Sequence, residues 1–100
     1  MTNEQVTERL KQGNWVITCT TKQDVNSVLH ACENAEIEWR TGDIATQFIP
    51  HESCPICIVY CKYNNHIFYD NGKYEKYYEE HGYENITNWF FDAIKGENND

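Results

Sequence analysis

The sequence predicts an α+β fold: one domain in which an antiparallel or mixed sheet of about four to five strands carries helices packed on it. Three observations predict this. Apolar residues recur with helical period near both ends and over residues 21–32, two segments are dense in β-branched and aromatic residues, and glycine or asparagine turns separate these stretches. A chain of 100 residues with 40% hydrophobic content is enough for one modest core, so residues 1–100 are expected to form a single domain.

The elements follow in chain order. Thr2 and Gln5 have capping-box spacing, Val6 and Leu10 lie one turn apart, and Gly13 closes a first helix expected near residues 3–12. Residues 14–20 (NWVITCT) read as the first strand, with Trp15, Ile17 and Cys19 sharing a face. Thr21, with Asp24 three residues on, caps a helix in which Val25, Val28, Leu29 and Cys32 make one apolar stripe. Residues 37–40 and 46–49 are expected as short strands around a Thr41-Gly42-Asp43 turn, the second ended by Pro50. Residues 55–63 (PICIVYCKY) are apolar on both faces, the pattern of a central strand covered on two sides. Asn64-Asn65 is expected as a two-residue hairpin turn into a strand over residues 66–69, and Asn71-Gly72 marks another turn. Tyr74, Tyr77 and Tyr78 share one face of a short helix closed by Gly82. Ile86, Trp89, Phe90, Ala93 and Ile94 then trace a last helix, and residues 96–100 are expected as a mobile tail.

Charge narrows the function classes. The net charge is −8, and eight acids stand against three lysines from Asp70 onward, in the stretch that also holds Tyr74, Tyr77, Tyr78, Tyr83, Trp89, Phe90 and Phe91. A field of that sign repels phosphate backbones and attracts basic partners. Direct nucleic-acid binding is therefore not expected, whereas a protein whose groove normally holds nucleic acid is a natural partner. No segment approaches the ~18 apolar residues needed to span a bilayer, and no secretory signal is apparent. Five cysteines, Cys19, Cys32, Cys54, Cys57 and Cys61, form an odd set that suits a reducing cytosol.

The run His51-x2-Cys54-x2-Cys57-x3-Cys61 has the look of part of a zinc site. On a strand, Cys57 and Cys61 stand ~13 Å apart, too far to share one ion. His51, Cys54 and Cys57 remain as metal-ligand candidates, without the second Cys-x-x-Cys pair that such sites use; buried inert thiols are the competing reading. The same Cys54-Pro55-Ile56-Cys57 spacing occurs in redox motifs, but those place a thiol at a helix N-terminus, and here a strand follows. His30, His51, His66 and His81 select no nucleophile by spacing, and neither a phosphate loop nor a nucleophile elbow is present. No catalytic residue and no cofactor is expected.

Glu75, Glu79, Glu80 and Glu84, with Tyr74, Tyr77 and Tyr78, are the candidate partner-binding residues: charged contacts beside apolar anchors of a residue type enriched in interface cores. Two simpler readings compete. The acids form a solvated helix face, with Lys76 pairing to Glu80, and the tyrosines cover the sheet.

A strand and helix, Trp39 closely followed by Thr41-Gly42-Asp43, a hairpin with an aromatic second strand, and Tyr77-Tyr78 ahead of Gly82-Tyr83 together form a pattern over residues 14–90. It resembles that of small acidic proteins from phages and prophages of low-GC Gram-positive bacteria. The resemblance implies no catalytic residues. It implies a phage accessory protein, a class whose small acidic members include inhibitors of host defence such as anti-CRISPR proteins, several of which mimic DNA. The cysteine cluster is no part of that pattern and leaves a metal-dependent variant open. The expectation is a non-enzymatic binding protein in the bacterial host cytoplasm, inhibiting a basic host protein or nucleoprotein complex through its acidic aromatic surface. Two alternatives stand beside it: sequestration of a nucleotide signal, for which only Arg9, Lys11, Lys22, Arg40 and Lys62 supply cations outside the acidic third, and a zinc-stabilised structural or regulatory module.

Overall fold

A computed structural model describes residues 3–98. The chain runs α1 (Asn3–Gln12), β1 (Trp15–Cys19), α2 (Lys22–Asn34), β2 (Ile56–Cys61), β3 (His66–Asn71), α3 (Glu75–Glu80), β4 (Glu84–Asn85) and α4 (Thr87–Asn98), with 3-10 turns at Ala45–Gln47 and Gly72–Tyr74. The expected α+β domain forms around a four-stranded mixed sheet of order β3-β2-β1-β4. β2 pairs antiparallel with β1 (Ile17 opposite Ile58) and with β3 (Val59 opposite Phe68), while β4 runs parallel to β1.

Strand alternation divides the core between two faces. Trp15, Ile17 and Cys19 of β1, with Ile56, Ile58 and Tyr60 of β2, point toward the three long helices and meet Leu10 of α1, Val28, Leu29 and Cys32 of α2, and Phe90 and Ala93 of α4. Val16, Cys57 and Val59 point the other way and are covered by Tyr78, with Phe68 and Tyr83 packed beside them. Ile58 and Val59 are both wholly buried, one on each face, so β2 is the doubly covered strand its composition predicts.

Local chemistry fixes the joints. Thr21 caps α2 by accepting from the Asp24 N–H at 3.1 Å, and Asp24 answers by accepting from Thr20 N–H and Oγ1–H at 3.2 and 3.0 Å. Gly13 and Asn14 both take left-handed backbone, at φ +76° and +56°, to turn α1 into β1. That turn also ties down the end of β2, since Asn14 Oδ1 accepts from Lys62 N–H at 3.1 Å and Lys62 Nζ donates to the Lys11 carbonyl at 3.2 Å.

Several expectations need correction. Residues 37–40 and 46–49 are not strands. The Thr41-Gly42-Asp43 turn forms as expected, but its flanks pair only as isolated bridges, Glu38 with Ile44 and Trp39 with Ile67. The chain then coils into the 3-10 turn Ala45–Gln47, where Trp39 Nε1 donates to the Ala45 carbonyl at 2.8 Å. The hairpin between β2 and β3 closes with Cys61 opposite His66, so its loop is four residues, 62–65, instead of two, and only Asn65 takes positive φ. β4, two residues long, is absent from the predicted order. α4 continues through Gly96 to Asn98, which places part of the expected tail in a helix; the Thr2 cap and residues 99–100 lie outside the described residues. No helix among the described residues is long and apolar enough to cross a membrane.

Gly13 gives a direct test of this joint. A Cβ there would stand 2.6 Å from the Lys62 Cβ, on top of the cost of a left-handed alanine. Gly13→Ala is expected to lower the unfolding free energy by about 1–3 kcal/mol in a urea titration; an unchanged midpoint would show that the joint relaxes freely.

Candidate functional site

α3 lies on the sheet face opposite the long helices, and its six residues divide into inward and outward sets. Tyr78 points inward: it is 7% exposed, and its hydroxyl donates to Asp70 Oδ2 of β3 at 2.7 Å. Burial, and then this bond to a carboxylate, push its pKa well above the usual tyrosine range. Glu75 also turns in, accepting a short hydrogen bond from the Thr18 hydroxyl of β1. Tyr78 therefore belongs to the core and is not an available anchor, and Glu75 is half-buried and occupied.

What remains outside is a compact set. Tyr74 and Tyr77 are exposed and meet edge to face at 6.4 Å, with Lys73 Nζ 5.2 Å from the Tyr74 ring centroid. Tyr77 stacks on His81 at 4.1 Å between centroids, and Glu79 and Glu80 are exposed on the same helix. Glu84 is exposed too, but it pairs with Arg9 of α1 at 2.5 Å, the one ion pair among the described residues. Lys76 and Glu80 therefore do not form the i, i+4 bridge of the competing solvated-face reading. Of the seven candidate contacts, Tyr74, Tyr77, Glu79 and Glu80 are exposed and in no ion pair; Tyr74 and Tyr77 adjoin each other, and the two glutamates are spread round the same helical turn.

The cysteine candidates do not converge. Cys54 packs against the helix-side core, whereas Cys57 lies on the other face, 3.6 Å from Thr18 Oγ1 and 3.9 Å from the Gly72 carbonyl, and His51 is exposed. Among the described residues no three His, Cys, Asp or Glu side chains are placed to share a metal ion. All five thiols are free. Burial pushes Cys32 up to about 12 and raises Cys19 and Cys57, the last against an opposing hydrogen bond from Thr18. Cys61 moves the other way. The neighbouring Tyr83 hydroxyl, and then the backbone amides of Asn64 and Tyr63, favour its thiolate and hold its pKa below the ordinary value. Burial, together with the same contact, lifts Tyr83 to about 12. Among the described residues no histidine is hydrogen-bonded to a thiol or hydroxyl; His81 Nδ1 meets the Tyr77 carbonyl at 2.7 Å.

A second concavity escapes sequence periodicity altogether. Trp39, Arg40, Thr41, Phe48, Ile67, Phe68 and Tyr69 line an open, almost wholly apolar hollow of about 200 Å³. Trp39 meets Phe48 at 5.1 Å and Tyr69 at 6.0 Å, each near perpendicular. Trp39 and Phe48 read in the sequence as strand residues. The usable signal is two aromatics bracketing a Thr-Gly-Asp turn.

No family model, no curated protein and no solved structure matches the chain.

The thiol environments predict an order of reaction. With limiting iodoacetamide at pH 7.5, Cys61 is expected to be alkylated ahead of Cys19, Cys32 and Cys57, because reactivity follows thiolate and a lowered pKa leaves more of it at that pH. Tyr83→Phe removes the largest stabiliser of that thiolate and is expected to slow Cys61. Peptide mass spectrometry reads both; modification of Cys32 or Cys57 first would contradict the assignment.

Proposed function

We propose that the protein is a non-enzymatic binding protein that docks, through the outer side of α3, onto a basic protein surface of the kind that otherwise holds a nucleic-acid backbone. One observation carries the reading. Tyr74 and Tyr77 stand 40% and 51% exposed in the segment that also carries the exposed Glu79 and Glu80, although Tyr78 of α3 already covers the sheet. Core packing therefore accounts for one of the three tyrosines and leaves two rings about half exposed, at a cost in apolar exposure that a partner would relieve.

The net charge of −8 supports the same reading, since it steers the molecule toward cations over distances longer than a contact. The rings would supply apolar anchoring and the carboxylates the rate and orientation of encounter. The resemblance to small phage and prophage proteins makes a host defence complex the expected owner of the groove. Inhibition follows if carboxylates occupy positions meant for phosphates.

The test uses paired baits, the wild-type protein and Glu79→Lys/Glu80→Lys, in a bacterial lysate with quantitative mass spectrometry. Both substituted side chains are exposed, so the fold is expected to persist. A basic nucleic-acid-handling protein should be enriched on the first bait only. With that partner purified, charge reversal should slow association ~10-fold at low ionic strength and flatten its salt dependence. Tyr77→Ala should raise the dissociation rate ~10-fold or more. Equal capture by both baits, or unchanged kinetics, would remove this face from the account.

A further inference from the structure

We propose that the hollow formed by Arg40, Asn64, His66 and Phe68 is a binding site for a nucleoside monophosphate, its phosphate held by the Arg40 guanidinium and the His66 imidazole and its base laid against the Phe68 ring.

The backbone brings these four side chains together. Trp39 bridges Ile67 in parallel register, and the Arg40 N–H donates to the Ile67 carbonyl at 3.1 Å. Trp39 and Ile67 belong to the helix-side core, so strand alternation sends Arg40 and Phe68 to the opposite face. His66, two residues before Phe68 on β3, shares that face. Asn64 reaches the same hollow from the four-residue loop, whose backbone is ordered before any ligand arrives: Asn65 N–H donates to the Cys61 carbonyl at 2.9 Å, and Asn65 Oδ1 accepts from the Tyr60 hydroxyl at 2.9 Å.

The polarity of the hollow runs against the composition of the chain. The sequence holds 16 acids against 8 lysines and arginines, yet no carboxylate lines this wall. Glu38, two residues before Arg40, lines a different hollow with Glu33, Glu36 and Ile44. Elsewhere cations are engaged, Arg9 with Glu84, Lys62 with the Lys11 carbonyl and Lys73 with the Tyr74 ring. Among the described residues the Arg40 guanidinium, the His66 ring and the Asn64 side-chain amide have no hydrogen-bond or ion-pair partner. Three unspent polar groups thus border one hollow.

Chemistry and charge set the class of ligand. A guanidinium meets a phosphate through two parallel N–H···O bonds, and a protonated imidazole adds a second cationic donor. Phe68 is half-buried and packs on Tyr78 at 5.9 Å, which makes it a fixed ring for a planar base to stack on. The Asn64 amide, with two donor hydrogens and one acceptor, matches a base edge. The hollow is open and measures about 410 Å³, inside the range of roughly 300–1,000 Å³ found for small-molecule sites. A mononucleotide keeps its charge on one phosphate beside Arg40. A polynucleotide would spread its charge over a molecule of net charge −8 and be repelled.

The experiment is an amide-resolved NMR titration of the full chain with adenosine 5′-monophosphate, adenosine and inorganic phosphate. The mononucleotide is expected to shift the backbone amides of Arg40, Asn64, His66 and Phe68 and the Asn64 side-chain amide, with a dissociation constant of ~1 mM or tighter. Adenosine should bind the same site about tenfold more weakly, and phosphate alone should move Arg40 and His66 while leaving Phe68 in place. Arg40→Gln, at an exposed side chain without partners, should preserve the unligated spectrum elsewhere, weaken the mononucleotide about tenfold and leave adenosine unchanged. His66→Gln, at a half-buried position, is expected to act in the same direction. The proposal is overturned if no signal in that set moves, if shifts occur only elsewhere, or if nucleotide and nucleoside bind equally. Wild-type affinity for the mononucleotide in either variant would overturn it as well.

Discussion

Burial of β2 on both faces is the constraint from which the rest of the architecture follows. A strand with apolar side chains on both sides obliges the chain to cover its sheet twice. One cover is generous, since α1, α2 and α4 bring Leu10, Leu29 and Phe90 onto Trp15, Ile17 and Ile58. The other is made by a helix of six residues, far too short to persist on its own propensity. Tyr78 and Glu75 hold it there by reaching Asp70 and Thr18 of the sheet beneath. Once those inward positions are committed, helical geometry dictates which side chains face water. The exposed Tyr77, Glu79 and Glu80 of α3 are thus the remainder of a packing solution.

The second face also shows how polar groups are admitted near a core. Thr18, Cys57, Asp70, Glu75 and Tyr78 all lie at its edge, yet each is answered, and among the described residues no buried side-chain nitrogen or oxygen is left without a partner. Leaving such a group unpaired would cost ~1–3 kcal/mol. This explains why the segment 72–83 sits on the sheet in one register, since sliding α3 by a residue would break the Tyr78 and Glu75 contacts together.

Elements with a long apolar stripe or an unbroken apolar run were legible in the sequence. α2 has both a capping pair and a four-residue apolar stripe, and β2 is a run of alternating apolar residues with no polar interruption; each appears where its pattern predicts. Between residues 35 and 55 the reading fails for a physical reason. There the positions of Trp39 and Phe48 follow from one indole bond to a carbonyl and one bridge to β3, tertiary events that leave no period behind. The same limit governs the candidate surface. Composition identified the acidic tyrosine-rich segment, but which tyrosine turns inward depends on where Asp70 stands across the sheet. The cysteine spacing misleads in the opposite way, because β2 starts between them, with Cys54 packed on the helix side and Cys57 on the other face.

β4 is only two residues long, but its backbone closes the free edge of β1: Glu84 and Ile86 amides bond to the Asn14 and Val16 carbonyls. The strand it completes is made early on the ribosome, and its neighbour late. At ~5–20 residues per second, the gap between their emergence is several seconds. During that interval a nascent chain carries an unsealed edge of Trp15 and Val16, a template for mispairing with whatever extended segment is near. A chaperone that shields such edges would matter most for this protein until residues 84–86 are free to pair with β1.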